Sequence, residues 1–396
     1  MTRPVVLTGP ANAAAFVEWL DPQDGRSALE LPGLRGTSLT NLAKAFLAIG
    51  EHVELVTLAP ELKGERVVLE GRRLRILIGP YRTRARNRCA DVFREERRHV
   101  RELLASTSGA VINAHWTYEF ALGATRLPSR VPVVTARDAP FTILRYSRTR
   151  AYRALCAAMA VAVRLRGPTM TAVSPYIVEA WRKQMLYRTE MSVVPNVVPL
   201  VAISRPSDAT EHLAPTILEV ADAGKLKNVA ALIRAMPEIL SAYSRTKLNL
   251  AGHGLTGDST LANLARRLGV DHAVRFLGFL PPSELDAIYR QADLFVHASL
   301  EESFSMSIAE SMSYGLPIVA GERSGAVPWL LDEGRAGLLV DVRRPAAIAK
   351  GVVRLLTDPG LRRELGAAGQ ARVRSHFSPD AVAARYLDVY ARAAAA

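Results

Sequence analysis

Short apolar runs alternate with longer amphipathic stretches along the whole chain, which is the pattern of a doubly wound α/β fold. One series of predicted strands comprises residues 5–8, 53–58, 75–78, 110–113, 133–135 and 171–173. A second series comprises residues 216–220, 247–251, 274–277, 294–297, 318–320 and 338–340. Two parallel sheets, each covered by helices, are therefore predicted.

The two series are separated by residues 199–214, a polar and Pro-containing segment that predicts a linker. The chain then divides into a first domain, residues 1–198, and a second domain, residues 215–376. A last helix is predicted within residues 377–396, after a Phe-Ser-Pro segment. A length of 396 residues is enough for two domains of ordinary size.

Composition favours a soluble globular protein, because 49% of the residues are hydrophobic but no uncharged apolar run is long enough to span a membrane. The first residues form a run too short for a secretory signal and are interpreted as a strand. Cys89 and Cys156 are isolated, which indicates reduced, structural thiols and no metal site. A cytoplasmic location is expected.

The positive charge lies almost wholly in the first half of the chain. Of the 51 basic and 38 acidic residues, 29 basic and 17 acidic residues lie within residues 1–200. The arginines concentrate in residues 82–101 and 145–166, and the second group surrounds an Ala-rich apolar stretch. This suits peripheral binding to an anionic membrane or to an acidic acceptor, although solvated helix faces explain it equally well. No nucleic-acid partner is expected, because aromatic interleaving and recognition motifs are missing.

The segment from residue 292 to residue 341 predicts strand, loop, helix and strand in succession. Glu302 and Glu310 lie eight positions apart, one before the helix and one within it. Ser303 or Ser305 is predicted to cap the helix, whose free N–H groups suit an anion. Carboxylates on both sides of an anion site fit a phosphate ester flanked by two polyols, as in a nucleotide sugar.

This segment resembles the signature region of retaining GT-B glycosyltransferases, in particular family 4, with its E-x7-E pair of glutamates. The resemblance rests on Glu302-Ser-Phe304-Ser, Glu310-Ser-Met312, Gly315-Leu-Pro317-Ile-Val319 and Gly325-Ala-Val-Pro328. It implies two Rossmann-like domains facing a central cleft. It also implies that the first domain binds the acceptor, the second binds the nucleotide sugar, and the last helix packs back on the first domain.

For the second domain, the resemblance implies that Glu310 binds the ribose, Glu302 the donor sugar and Lys227 the diphosphate. Asp222 occupies the position of the family's clamp arginine, and its carboxylate would repel a diphosphate. Lys225 is the candidate to supply the missing cation. The other donor contacts that the resemblance implies are Gly252, Phe279, Phe304 and Ser305. Phe279 is expected either to stack on the base or to be buried in the core.

In the first domain, Gly36 and Thr37 precede an amphipathic helix, and the resemblance places them against the donor diphosphate. His115 follows a strand and is implied to lie near the transferred sugar, with a catalytic role. Taken alone, a His at a strand end is more often a hydrogen-bonded structural residue. Trp116, Arg137 and Asp138 are the candidate acceptor contacts, and Arg137 stands where the family often has His, which suggests an anionic acceptor.

The function expected is retaining, metal-independent transfer of a sugar from a UDP- or GDP-type nucleotide sugar, with no cofactor. The acceptor class stays open among glycans, lipid-linked and small molecules, in cell-envelope or exopolysaccharide synthesis. No Asp-x-Asp pair occurs, so no metal site is expected. Asp222 supports an alternative, a degenerate homologue that binds without efficient transfer. An epimerase or phosphorylase of the same fold is less favoured, and a nicotinamide dehydrogenase lacks its glycine motif.

Overall fold

The computed structural model describes residues 4–147, 149–202 and 214–395. The chain forms two compact units, which are residues 1–197 with 378–396 (unit 1) and residues 198–377 (unit 2). Most of the predicted linker, residues 203–213, lies outside the described residues. Unit 1 is therefore built from two separate stretches of chain.

In the described part of unit 1, eight strands form one sheet. They are β1 (Val5–Thr8), β2 (Val53–Ala59), β3 (Val67–Gly71), β4 (Leu74–Pro80), β5 (Val111–His115), β6 (Val131–Ala136), β7 (Thr169–Ala172) and β8 (Ser192–Val193). Their spatial order is β3-β4-β2-β1-β5-β6-β7-β8, and each neighbouring pair is parallel except β3 and β4. The loops that follow β1, β5 and β6 leave one edge of this sheet together, where ligands collect in such folds.

Helices connect these strands and cover the sheet of unit 1. They are α1 (Pro22–Glu30), α2 (Thr37–Ala48), α3 (Ala85–Ala90), α4 (Arg94–Ala105), α5 (Glu119–Ala124), α6 (Pro140–Tyr146), α7 (Arg150–Leu165) and α8 (Pro175–Gln184). A 3-10 helix spans Ala13–Trp19.

In the part of unit 2 that the structure describes, six parallel strands form the sheet. They are β9 (Thr216–Val220), β10 (Lys247–Ala251), β11 (Val274–Gly278), β12 (Leu294–His297), β13 (Ile318–Gly321) and β14 (Leu338–Val340). The order β11-β10-β9-β12-β13-β14 makes β9 and β12 neighbours at the centre of the sheet. The chain reverses its direction of winding there, and ligands bind at such a position in doubly wound folds.

The helices of unit 2 follow the same alternation. They are α9 (Val229–Ala242), α10 (Thr260–Arg267), α11 (Pro282–Gln291), α12 (Met306–Ser313), α13 (Val327–Leu330), α14 (Pro345–Thr357) and α15 (Pro359–Arg372). Short 3-10 helices span Lys225–Lys227, Asp271–Ala273 and Asp332–Gly334, and a π-helix spans Val373–Phe377.

The predicted α/β class with two parallel-sheet domains is confirmed. Each of the twelve predicted strands is present, with ends that differ by at most two residues. The sheet of unit 1 is mixed, however, because β3 pairs antiparallel with β4 through a turn at Arg72 and Arg73. The prediction missed β3 because only Leu69 of its five residues is buried, so its apolar pattern is weak.

The last helix, α16 (Pro379–Ala395), completes the core of unit 1. Val382, Ala383 and Val389 are buried, and the Tyr390 ring lies 6.0 Å from that of Phe46 on α2. Asn113 Nδ2 donates a hydrogen bond to the Tyr390 hydroxyl at 2.7 Å. The end of the chain thus ties a buried polar group in β5 to the helical layer.

Replacing Tyr390 by Phe leaves the buried Asn113 amide without this acceptor. We expect the free energy of unfolding of unit 1 to fall by about 1–3 kcal/mol. Urea unfolding followed by tryptophan fluorescence measures the change. Arg392→Ala, on the exposed side of α16, is the control and should cost less than about 0.5 kcal/mol. Equal stability of Tyr390→Phe and the wild type would contradict this account.

Candidate functional site

Glu302 lies in the loop between β12 and α12, and a second loop fixes its backbone. The Glu302 carbonyl accepts a hydrogen bond from Ala326 N at 2.8 Å. Gly325 has a φ of 60°, and a Cβ atom at Gly325 would lie 2.3 Å from the Glu302 carbonyl oxygen. Only glycine allows this approach, so the Gly325 turn sets where Glu302 stands.

Two cations hold the Glu302 side chain. Its Oε1 accepts hydrogen bonds from Lys227 Nζ at 2.6 Å and from His297 Nε2 at 2.8 Å. On the other side of the ring, His297 Nδ1 donates to Glu219 Oε1 at 2.9 Å. Glu219 Oε2 accepts from Ala298 N at 3.1 Å. Since both ring nitrogens face carboxylates, His297 is an imidazolium. We call Glu219, His297, Glu302 and Lys227 the charge row.

The charge row alternates in sign, and this overcomes the cost of burial. Burial alone would lower the pKa of His297, which is 1% exposed, but Glu219 and Glu302 raise that pKa to about 9. Burial likewise opposes charge on Glu302, but His297 and Lys227 hold the pKa of its carboxyl well below the usual range. The pKa of Lys227 is raised, because Glu302 outweighs the effect of burial. At neutral pH His297, Glu302 and Lys227 are therefore all ionised.

The turn into α12 differs from the prediction. Ser305 occupies the N-cap position with a φ of 72°, and its Oγ lies 3.3 Å from His297 Nε2. In the described structure the Ser305 side chain therefore contacts the charge row and makes no cap bond to α12. The ring of Phe304 is buried and packs on Trp329 and Phe377, and its predicted donor contact stays a prediction. The ring is therefore not available to a bound nucleotide sugar, which could contact Phe304 through its backbone.

Glu310 projects from the middle of α12 and is oriented by α11. The Tyr289 hydroxyl donates a hydrogen bond to Glu310 Oε2 at 3.2 Å. Tyr289 itself is buried and stacks on Tyr314, with ring centroids 4.8 Å apart. Burial raises the pKa of Glu310 to about 7. The carboxyl can accept hydrogen bonds from a polyol, and the ribose contact stays a prediction.

The loop after β9 separates the two lysines of the predicted clamp. Lys227 reaches Glu302, whereas Lys225 is exposed at the start of the 3-10 helix and is not brought to the charge row. Asp222 is exposed, and its Oδ1 accepts a hydrogen bond from Gly224 N at 2.7 Å. Asp222 therefore shapes the turn that carries Lys227, and this gives the carboxylate a structural role in place of the family arginine.

The ends of β10 and β11 lie together. Gly252 N donates to the Gly278 carbonyl at 2.7 Å, which joins the two strand ends. Phe279, the next residue, is 65% exposed, so burial in the core, the alternative expected from sequence, is wrong. Its ring stacks on His253 with centroids 4.6 Å apart. An exposed, supported aromatic face of this kind suits a nucleobase.

In unit 1, Gly36 is the residue before α2, as predicted. A Cβ atom at Gly36 would lie 2.1 Å from the Pro10 carbonyl oxygen, so the loop after β1 requires glycine there. Thr40 Oγ1 donates to the Gly36 carbonyl at 2.7 Å, and Thr37 is exposed at the first position of the helix. The amide groups at the start of α2 are of the kind that binds anions, and the diphosphate contact at Gly36 and Thr37 stays a prediction.

His115 and Arg137 form a buried pair at the ends of β5 and β6. Arg137 Nε donates to His115 Nδ1 at 3.0 Å, and Arg137 NH1 donates to Asn196 Oδ1. Burial, together with the Arg137 charge, holds the pKa of His115 well below its usual range. The imidazole is thus neutral and carries its proton on Nε2, which is buried with no hydrogen-bond partner among the described residues. This N–H is a directed, unused donor.

Trp116 and Asp138 complete the group of predicted acceptor contacts. The Arg137 guanidinium lies 5.3 Å from the centre of the Trp116 ring. Asp138 Oδ2 accepts from the Tyr118 hydroxyl at 2.8 Å, and burial raises the pKa of Asp138 to about 6. Arg137 and Asp138 are both buried, and their contact with an acceptor stays a prediction.

Three residues of the site were missed by the reasoning from sequence: Glu219, Tyr289 and His297. A signal existed for Glu219, a charged residue inside the apolar strand Thr-Ile-Leu-Glu-Val, and for His297 at the end of another strand. Their contact depends on β9 and β12 being neighbours, which the order of strands along the chain does not show. Tyr289 carried no signal beyond an ordinary helical apolar position.

In the basic region of residues 82–101, Arg82 and Arg88 have partners within unit 1, whereas Arg84 and Arg86 are exposed. Arg82 donates to Asp91 and Glu96, and Arg88 is buried between Tyr81 and Phe93. No helix in the described ranges is long and apolar enough to cross a membrane. Within those ranges, no cluster of three or more His, Cys, Asp or Glu side chains is arranged to hold a metal ion.

Comparisons with known families account for this arrangement. Residues 36–201 match the model described as Glycosyltransferase Family 4, and residues 204–372 match the model described as Glycosyl transferases group 1. Together the two matches span most of the chain. The chain belongs to the family 4-like GT-B glycosyltransferases.

This chain is similar in sequence to two D-inositol 3-phosphate glycosyltransferases. The protein from Corynebacterium kroppenstedtii is 33% identical over 172 residues, which are 42% of this chain and 38% of the relative. The protein from Corynebacterium efficiens is 38% identical over 185 residues, which are 45% of this chain and 43% of the relative. The chain thus matches about four-tenths of the length of each of these relatives.

Solved structures resemble the whole chain of this GT-B family member. Sucrose-phosphate synthase from Thermosynechococcus elongatus has a TM-score of 0.77 at 20% identity, covering 100% of both chains. Anabaena HepE, in complex with UDP and glucose, has a TM-score of 0.72 at 16% identity and covers 99% of this chain and 100% of its own. At such identities the likeness establishes the fold.

Glu310→Gln should stabilise the ligand-free protein at alkaline pH. The raised pKa, about 7, means that the folded state binds the proton more tightly than the unfolded chain, so wild-type stability falls as pH rises from ~5 to ~8. The neutral amide, which still accepts from Tyr289, avoids this loss. We expect a gain of about 2 kcal/mol at pH 8 and none at pH 5.

Thermal midpoints at the two pH values measure this effect. Glu238→Gln, an exposed substitution on α9, is the control and should shift neither midpoint. A Glu310→Gln protein that is less stable than the wild type at pH 8 would show that the ionised carboxylate is favoured in the fold.

Proposed function

We propose that the protein transfers a sugar from a nucleoside-diphosphate sugar to an acceptor hydroxyl, with retention of the anomeric configuration and without a metal. The observation that carries this proposal is the charge row, which holds the Glu302 carboxylate ionised beside Lys227. A fixed carboxylate suits sugar hydroxyls, and a neighbouring ammonium suits a diphosphate.

The nucleotide sugar would contact several loops of unit 2. Glu310, oriented by Tyr289, would accept from the ribose hydroxyls, and Lys227 with the amides at the start of α12 would bind the diphosphate. Glu302 would accept from hydroxyls of the transferred sugar. The exposed ring of Phe279, backed by His253, would stack on the base. A UDP- or GDP-type donor fits these contacts.

The chemistry follows from charge development on the leaving group. The bond between the anomeric carbon and the phosphate oxygen breaks, and the acceptor oxygen bonds to the same face of the carbon. The acceptor proton passes to the departing phosphate oxygen, so no protein base is required. Lys227 stabilises the negative charge on the leaving diphosphate. Glu302 is a weak nucleophile, since Lys227 and His297 share its Oε1 and keep its pKa low.

In unit 1, His115 would orient the donor sugar without changing protonation state. Its pKa is held low, so it stays neutral, and its buried Nε2–H has no partner in the described residues. Such a donor is suited to a sugar hydroxyl. Gly36 and Thr37 would add the amides at the start of α2 to the diphosphate contacts.

The acceptor would carry an anionic group. The guanidinium of Arg137 is buried on His115 and Asn196, both neutral, and this favours a negative charge nearby. The relatives named for D-inositol 3-phosphate and the sucrose-phosphate synthase point to the same chemistry. Glycans, lipid-linked and small-molecule acceptors remain candidates. A screen that pairs each phosphorylated polyol with its unphosphorylated form tests the anionic group.

Peripheral binding to an anionic membrane is a further part of the proposal. Phe141 on α6 is 42% exposed and Leu165 on α7 is 75% exposed, close in sequence to the arginines of residues 145–166. Exposed apolar and basic side chains together favour an anionic bilayer surface. This would place the transfer at the cytoplasmic face of the membrane, in cell-envelope or exopolysaccharide synthesis.

The alternative is a homologue that binds its ligands without efficient transfer. It rests on Asp222, which replaces the family's clamp arginine, and on the exposed position of Lys225. The turn that Asp222 stabilises still delivers Lys227 to Glu302, and this favours the active enzyme.

A panel of nucleoside diphosphates and nucleotide sugars, tested with a chelator present, should identify one base that raises the thermal midpoint. Ligand at 100 times its Kd stabilises by about 2.7 kcal/mol. Lys227→Ala and Glu310→Ala should abolish the shift, because they remove the proposed diphosphate and ribose contacts. Lys350→Ala, an exposed lysine on α14, should keep it. No shift with any nucleotide at millimolar concentration would contradict donor binding.

Turnover should give a product with the same anomeric configuration as the donor. Proton NMR of the product reads the coupling of the anomeric proton in the new glycosidic bond, whose configuration is fixed. Mass spectrometry of the protein during turnover should show no glycosyl adduct, since the account contains no covalent intermediate. An inverted product would overturn the proposed mechanism, and a trapped adduct on any residue would exclude same-face attack.

A further inference from the structure

The charge row contains two residues that the proposed function leaves without a task. We propose that His297, supported by Glu219, is a positioning residue that holds the Glu302 carboxylate in the orientation that binds the donor sugar. This inference rests on the proposed function, and specifically on Glu302 as the acceptor of sugar hydroxyl hydrogen bonds.

The two oxygens of the Glu302 carboxylate differ in their hydrogen-bond partners. Lys227 and His297 both donate to Oε1, and in the described part of the chain Oε2 accepts no hydrogen bond. Two donors on one oxygen restrict rotation of the carboxylate about its terminal bond. The second oxygen is thereby presented in one direction, which is what recognition of a particular hydroxyl requires.

Lys227 alone could not hold this orientation during the reaction. Its side chain is the proposed partner of the leaving diphosphate, so binding of the donor draws the ammonium towards phosphate. His297 has no such competing use, because it is 1% exposed and lies between Glu219 and Glu302. It therefore keeps Glu302 ionised and fixed while Lys227 changes partners.

The groups that face His297 come from three parts of unit 2. Glu219 comes from β9, Glu302 and Ser305 come from the loop before α12, and Phe295 stacks on the ring within β12. Lys227 acts on the ring through the shared Glu302 oxygen, and Asp222 adds a negative charge that raises the pKa of Lys227. Among the described residues, Glu219 and Glu302 are the two carboxylates within hydrogen-bond distance of the ring.

A positioning role and a purely structural role can be distinguished by the ligands whose binding they affect. Glu302 is proposed to touch the sugar, whereas Glu310 and Phe279 bind the nucleoside. Loss of His297 should therefore weaken the binding of a nucleotide sugar much more than the binding of the matching nucleoside diphosphate. A structural defect would weaken both alike.

The test is calorimetric titration of the nucleoside diphosphate and its nucleotide sugar into the wild type, His297→Gln and the double variant Glu219→Gln/His297→Gln. The double variant neutralises both buried charges, which guards against misfolding caused by an unpaired Glu219. His272→Gln is the control, since His272 is an exposed histidine of the same unit.

We expect both variants to bind the nucleotide sugar at least about tenfold more weakly, which is a loss of ~1.4 kcal/mol. Binding of the nucleoside diphosphate should stay within about threefold of the wild type, and the control should match the wild type with both ligands. If folded variants bind the nucleotide sugar as tightly as the wild type, or lose both ligands equally, the inference is wrong. A wild type that binds neither ligand would instead contradict the proposed function.

A pH series supplies a second readout. The pKa of His297 is raised to about 9, so the stabilising charge of the ring is fully present below its ordinary pKa of ~6.5 and is lost as pH rises through about 9. The preference for nucleotide sugar over nucleoside diphosphate should disappear over the same range. In Glu219→Gln this midpoint should move to lower pH, and an unchanged midpoint would overturn the inference.

Discussion

The row of alternating charges formed by Glu219, His297, Glu302 and Lys227 is the constraint on which the rest of unit 2 depends. An unpaired buried ion costs several kcal/mol, so each member requires its neighbour. The row can form only if β9 and β12 are adjacent, the Gly325 turn fixes the Glu302 backbone and Lys227 follows the turn at Asp222. Strand order, turn chemistry and helix start are therefore tied to one set of four side chains.

Unit 1 also contains a buried charged side chain, but its hydrogen-bond partners are neutral. Its buried cation, Arg137, is held by neutral acceptors on His115 and Asn196, and the same contact keeps His115 uncharged. The last helix of the chain supports this arrangement, because the Tyr386 ring lies 6.0 Å from that of His115 and Tyr390 binds Asn113. One unit thus presents an ionised carboxylate and the other a neutral imidazole, and each is fixed by its hydrogen-bond partners.

Much of this could be predicted from the sequence, because it depends on local patterns. Buried strands are continuous apolar runs, so the strand ends beside Glu302, Lys227 and His115 could be predicted from local pattern. The roles of these residues and of Glu310 rest on the family resemblance and stay predictions. Side-chain direction was harder to predict. Phe279 follows the apolar run of β11 yet is exposed on His253, whereas Phe304 lies between two serines yet is buried on Trp329. Ser305 looked like a helix cap but contacts His297. These outcomes depend on residues distant in sequence.

The measurement that tests the central claim most directly is a structure of the protein with an unreacted nucleotide sugar bound. The account predicts the sugar hydroxyls on the Oε2 atom of Glu302, the diphosphate on Lys227 and the ribose on Glu310, with His297 still between Glu219 and Glu302. A sugar bound away from Glu302, or a donor that separates His297 from Glu302, would contradict it.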